Sequence, residues 1–95
     1  ADASRCRGIT GFLLVSALCE AAGVPLSAHT APTLHLAVGC ASEPVIHLEW
    51  FHDHVRIESM LFEGMPSPVD GCLEPSDAPG LGIEFRQKDA ERYAV

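Results

Sequence analysis

Basic side chains are scarce in this 95-residue sequence: six Lys and Arg stand against 13 Asp and Glu, for a formal charge of −7. The six are scattered, at Arg5, Arg7, Arg56, Arg86, Lys88 and Arg92. No patch gathers phosphates, so nucleic acid is excluded as a partner. An anionic membrane surface is excluded on the same ground. No apolar run approaches the roughly 20 residues needed to span a bilayer. The stretch from Gly11 to Cys19 falls well short and has no basic leader before it. No C-x-x-C pair occurs among Cys6, Cys19, Cys40 and Cys72, which argues against a zinc ribbon. Nothing signals secretion, so the cysteines are expected to be reduced and mostly packed, in a cytoplasmic protein. There is no repeat of fixed period and no low-complexity segment.

What is present is an ordinary globular composition, 47% hydrophobic and 20% charged. Thr10 to Ala22 reads as a helix, with Phe12, Leu13, Ala17, Leu18 and Ala21 on one face. Gly23 follows as its left-handed terminator. Val24 to Ala28 is a short apolar run that fits a buried strand and ends in His29. Pro32 to Ala41 reads as a second helix with proline in its first turn, Leu34, Val38 and Ala41 sharing a face. Val45 to Phe51 is rich in β-formers and reads as a second strand. Helix, strand, helix, strand is the rhythm of an α/β protein with a parallel sheet. After Phe51 the rhythm stops. Four of the seven prolines fall between Met65 and Gly82, so that stretch is expected to be an ordered, irregular tail. Short strands are expected at Gly71–Leu73 and Ile83–Phe85, and a short helix at Asp89–Tyr93. The division expected is residues 1–57 as βα units and 58–95 as the tail.

Ala1-Asp2-Ala3 leads straight into the first helix, as the last residues of a strand would. Two parallel strands leave open hydrogen-bonding edges, so the chain is expected to be incomplete on its own. Asp2, His29 and Glu49 then share a property: each stands at or near the carboxyl end of a strand in a βα unit. Their separations of 27 and 20 residues are each about one such unit. In barrels built from these units, catalytic side chains collect on that face. Carboxylate, imidazole and carboxylate on neighbouring strands make an acid/base constellation. Taken singly, Asp2 also suits a helix cap and His29 a satisfied core histidine. Glu49 between Leu48 and Trp50 demands a partner or a site.

Taken together, these segments resemble the mandelate racemase/muconate lactonizing family of the enolase superfamily. Ala1 through Leu13 is similar to the family's sixth-strand segment, and Val24-Pro25-Leu26-Ser27-Ala28-His29-Thr30-Ala31-Pro32 to its seventh strand. His47-Leu48-Glu49-Trp50-Phe51-His52-Asp53-His54 resembles the eighth strand and the residues just past it. Gly71 to Val95 is similar to the carboxy-terminal return toward the capping domain. The resemblance implies the carboxy-terminal part of a (β/α)-barrel, from the end of strand 6 through strand 8 plus the tail. It implies a Mg²⁺-dependent enzyme that takes the proton α to a carboxylate, a racemase or a sugar-acid dehydratase. The substrate would be a small hydroxy acid or sugar acid, and the parent a homo-oligomer. Carried over by position, His29 is the base or acid, Asp2 holds and polarises it, and Glu49 hydrogen-bonds the substrate carboxylate. Phe51, two residues along the same strand, would line the pocket.

The sequence departs from that pattern at Arg7-Gly8, where two glycines are usual. The Mg²⁺ ligands and the family's lysine base belong to earlier strands, outside this chain. The chain is thus expected to pair with the missing amino-terminal part of the same enzyme and to be inactive alone. A rival, non-enzymatic reading is a metal-binding module built on the cluster His47, Glu49, His52, Asp53 and His54.

Overall fold

The computed structural model describes residues 1–95. Helix α1 runs Gly8–Ala22 and ends where expected: Gly23, at φ 64°, donates its N–H to the Glu20 carbonyl. The next amide, Val24, reaches back to Cys19 and closes the terminus. Strand β1 is Leu26–Ala28, helix α2 is Pro32–Cys40 with proline opening it, and strand β2 is Val45–Leu48. The strands pair in parallel, Ser27 opposite His47 and Ala28 opposite Leu48, with an irregularity between Leu26 and Ser27.

Ala1 occupies the other edge of β1. Its amino group donates to the Ser27 carbonyl at 2.6 Å, and the His29 N–H donates to the Ala1 carbonyl at 2.7 Å. Leu26 and Ala28 spend their backbone groups on β2, through Pro44 and Glu49, so the two edges are used by alternate residues. Ala1 therefore lies where a neighbouring strand would. The sheet is otherwise two-stranded and no barrel closes.

The core is small and sits between β1, α1 and α2: Ala3, Phe12, Leu26, Ala28 and Val38, flanked by Val15, Cys19, Leu34, Val45 and Leu48. On α1 the inward side is Gly11, Phe12 and Ser16; of the expected face only Phe12 is buried, and Leu13, Leu14 and Leu18 are exposed. The helix is apolar nearly all round, so periodicity could not choose a side. Gly11 is inward for a steric reason. A Cβ there would overlap the Cys6 carbonyl oxygen, so only glycine lets the loop cross the helix at this point.

Past Phe51 the structure differs from expectation. Residues His52–Leu61 form helix α3, which crosses the boundary placed at residue 57. It buries no residue fully, and its many charged side chains hid it from an apolar-face search. Strand β3 (Phe62–Glu63) pairs antiparallel with β4 (Glu84–Phe85), and the rings of Phe62 and Phe85 meet at 5.5 Å. The strand expected at Gly71–Leu73 is reduced to one bridge between Val69 and Cys72. The terminal helix is split into α4 (Gln87–Ala90) and a 3₁₀ turn at Glu91–Tyr93. Cys40 and Cys72 are exposed and Cys6 and Cys19 half-buried, so packing of the thiols is looser than expected. No helix is long and apolar enough to cross a membrane.

Candidate active site

Three elements end at one place. Asp2 follows the residue that pairs with the free edge of β1, His29 is the first residue past β1, and Glu49 the first past β2. Strand register alone brings them together, since each is fixed by a backbone bond at its own or the adjacent residue.

His29 points Nδ1 at Asp2. The distance from Nδ1 to Oδ2 is 3.1 Å. A carboxylate in that position favours the proton on Nδ1 in the neutral ring and leaves the Nε2 lone pair open. Nε2 has no protein partner, and the side chain is 42% exposed, enough for a small molecule to reach it.

Asp2 is the most closely held carboxylate in the chain. Its Oδ1 accepts from the Ser4 hydroxyl at 2.7 Å and from the Ser4 N–H at 2.9 Å. The Ser4 hydroxyl, above all, holds the carboxyl down at about 2; partial burial opposes this and the His29 bond assists it. Asp2 is accordingly anionic at any working pH. Arg5 also approaches Oδ2 at 3.2 Å, but its side chain is three-quarters exposed and adds little.

Glu49 Oε2 accepts the Thr30 N–H at 3.1 Å, which leaves Oε1 without a protein partner. Thr30 and Ala31, directly after His29, both have left-handed backbones, with φ of 49° and 37°. A β-branched residue in that region is a genuine outlier, and such strain persists only where surroundings enforce it.

Phe51 is not placed by β2. That strand stops at Leu48, and Phe51 sits half-exposed at the start of α3, with its ring 6.1 Å from His54. The alternation that assigned it to the Glu49 face therefore does not apply. Arg7 adopts φ 73° and turns to solvent, so it does not crowd its turn. The histidine cluster does not assemble: no three His, Cys, Asp or Glu side chains are arranged to hold a metal ion. His47 lies in β2, and His52 and Asp53 are more than four-fifths exposed. The metal-module reading thus gains no support from the geometry.

Two residues of the site were not anticipated. Nothing in the pattern singles out Ser4, whereas a histidine between Leu34 and Leu36 on an apolar helix was a usable signal for His35. It is fully buried.

Residues 1–90 match the enolase C-terminal domain-like family. The chain belongs to that family. A mandelate racemase/muconate lactonizing enzyme-like protein from Rubrobacter xylanophilus is 47% identical, with a TM-score of 0.95, over 100% of this chain and 27% of that one. L-Talarate dehydratase from Polaromonas sp. JS666, complexed with Mg and L-glucarate, is 31% identical at a TM-score of 0.80, over 95% and 24%. Cis-3-hydroxy-L-proline dehydratase from Roseibium aggregatum is 33% identical over 84% of this chain and 23% of its own length. The chain spans about a quarter of the length of these relatives. As a member of the enolase C-terminal domain-like family it corresponds to the carboxy-terminal part of the barrel. L-Talarate dehydratase carries Mg in its structure; in this chain no three His, Cys, Asp or Glu side chains are grouped to hold an ion by themselves. Asp2 is occupied by Ser4, His29 and Arg5, and Glu49 by Thr30.

Proposed function

We propose that these residues supply the acid/base half of a Mg²⁺-dependent dehydratase that acts on a small hydroxy or sugar acid. The observation that carries the reading is the Asp2–His29 pair, at 3.1 Å with Nε2 open. His29 Nε2 takes the proton from the carbon α to the substrate carboxylate. The C–H electron pair moves into an enediolate, and Asp2 stabilises the imidazolium that results. The β C–O bond then breaks. His29 returns its proton to the departing hydroxyl, which leaves as water, and the enol becomes a 2-keto acid. The free Oε1 of Glu49 shares a proton with a substrate carboxylate oxygen, a contact that strengthens as charge moves there. Dehydration is preferred to racemisation because the two relatives above whose names state a reaction, at 33% and 31% identity, are dehydratases. Phe51, two residues past Glu49 and half-exposed at the start of α3, is proposed to line the rim of the substrate pocket.

The full-length protein with Mg²⁺ and an aldaric acid such as L-glucarate in D₂O is the test. The expected result is release of a 2-keto acid, with His29→Asn and Asp2→Asn each lowering kcat by orders of magnitude; in a comparable triad the carboxylate-to-amide change costs about 10⁴. Deuterium entering the α carbon with inversion of configuration and without loss of water would make the enzyme a racemase. Full turnover by both variants would remove the pair from the chemistry. The 95 residues alone are expected to show no turnover, since on this reading the Mg²⁺ ligands belong to the rest of the protein.

A further inference from the structure

His35 lies under the candidate site without touching it from the substrate side. Its ring is fully buried and packs 5.7 Å from the ring of Phe12. Nε2 accepts the Ala3 N–H at 2.8 Å. Nδ1 donates to the Thr30 carbonyl at 2.9 Å and lies 3.1 Å from that of Ala31. One nitrogen accepts and the other donates, so the ring is neutral with its proton on Nδ1. Its approach to Asp2 Oδ1 at 3.6 Å is thus not an ion pair.

The two partners of this imidazole are the residue after Asp2 and the residue after His29. A single rigid ring spans the backbones that carry both members of the pair. It also holds the carbonyls of the left-handed residues Thr30 and Ala31, which no ordinary packing preference would keep in place. Aliphatic residues of similar size would fill the space but supply neither bond.

We infer that His35 is a positioning residue, which sets the separation and facing of Asp2 and His29 by bridging the Ala3 N–H and the Thr30 carbonyl. The inference gives the Asp2–His29 reading its structural support and rests on that reading only for its catalytic meaning. His35→Phe keeps the ring and removes both polar atoms, whereas His35→Gln keeps a donor and an acceptor. The measurement is the low-field proton resonance of His29 Nδ1–H, bound to a carboxylate, in the full-length protein without substrate. It is assigned by its absence in Asp2→Asn. The resonance is expected to disappear in His35→Phe and to persist in His35→Gln. Should the Phe variant not fold, His35→Asn, too short to reach both partners, is read in its place and is expected to lose the resonance. A folded Phe or Asn variant that keeps the resonance, or a folded Gln variant that loses it, overturns the inference. Because the readout needs no turnover, a failed dehydratase assay leaves this result standing and the two failures are distinct.

Discussion

Glu49, at the end of β2, accepts the backbone N–H of Thr30, just past the end of β1, at 3.1 Å. The bond crosses from one strand to the next and lands on a residue whose φ is 49°. Glu49 thereby serves the backbone with one oxygen and leaves the other free.

The two oxygens make separable predictions. Glu49→Ala leaves a half-buried N–H unpaired, at a cost of about 1–3 kcal/mol in stability. It is also expected to lower kcat by about 10²–10³, as loss of one well-placed group against developing charge does. Glu49→Gln keeps an acceptor for Thr30 and a donor for substrate, and should retain more of both. Melting temperature and kcat measured on the same full-length preparations decide. An Ala variant that is less stable yet turns over normally when folded confines Glu49 to a structural part.

Ser4 gives a pH-dependent prediction. The Asp2 carboxyl sits at about 2, below its ordinary 3.8. A depressed carboxylate contributes stability that is complete above its unfolded value and lost as pH falls through the folded one. Ser4→Ala removes the largest cause, so the folded value climbs. The resulting loss of stability should be full from neutrality down to about pH 4 and shrink between about 4 and 2. Urea melts of both full-length proteins at about pH 6 and about pH 3 read this directly. A constant gap across that window would mean that Ser4 acts through packing rather than on the carboxylate.

Two glycines at opposite ends of α1 should respond differently to alanine. At Gly11 the added carbon overlaps the Cys6 carbonyl, a backbone atom that cannot step aside. Gly11→Ala is expected to cost about 3 kcal/mol or more. Gly23, at φ 64°, faces open space, and its cost is confined to the left-handed backbone, about 1–2 kcal/mol. Equal losses in thermal melts would contradict this account of the Cys6 crossing.

Ala31 offers the reverse case. It holds φ 37° without being glycine. Relief of the left-handed strain is worth about 1–2 kcal/mol, against about 0.4–1 kcal/mol for the freer unfolded chain that glycine brings. Ala31→Gly should therefore stabilise the full-length protein slightly. A lowered melting temperature would show that the Ala31 methyl group contributes more in packing than its backbone costs.

The sequence made the sheet legible for a physical reason. Val24–Ala28 stood out as a short apolar run and Val45–Phe51 as a run of β-formers, and Asp2, His29 and Glu49 were polar residues at or near strand ends. What escaped was set by partners rather than by pattern. Helix α1 is apolar on nearly every side, so its inward face was decided by the Cys6 crossing at Gly11. Helix α3 carries Val55, Ile57, Met60 and Leu61, but buries none of them fully and was passed over. Ser4 and His35 act through specific hydrogen bonds that leave no periodic trace; the bond between Ala3 and His35 also spans 32 positions.

The turn after His29 has one further consequence, for how such a gene drifts. Only residues 29–31 separate β1 from α2, and all three have backbone groups committed: to Ala1, to Glu49 and to His35. An inserted or deleted codon there would break every one of those bonds at once. The segment between β3 and β4, residues 64–83, is tied down internally by a single bridge and two short contacts. Variation in length should accumulate in that second segment and spare the first, so that across lineages the β1–α2 turn keeps its length even where its letters change.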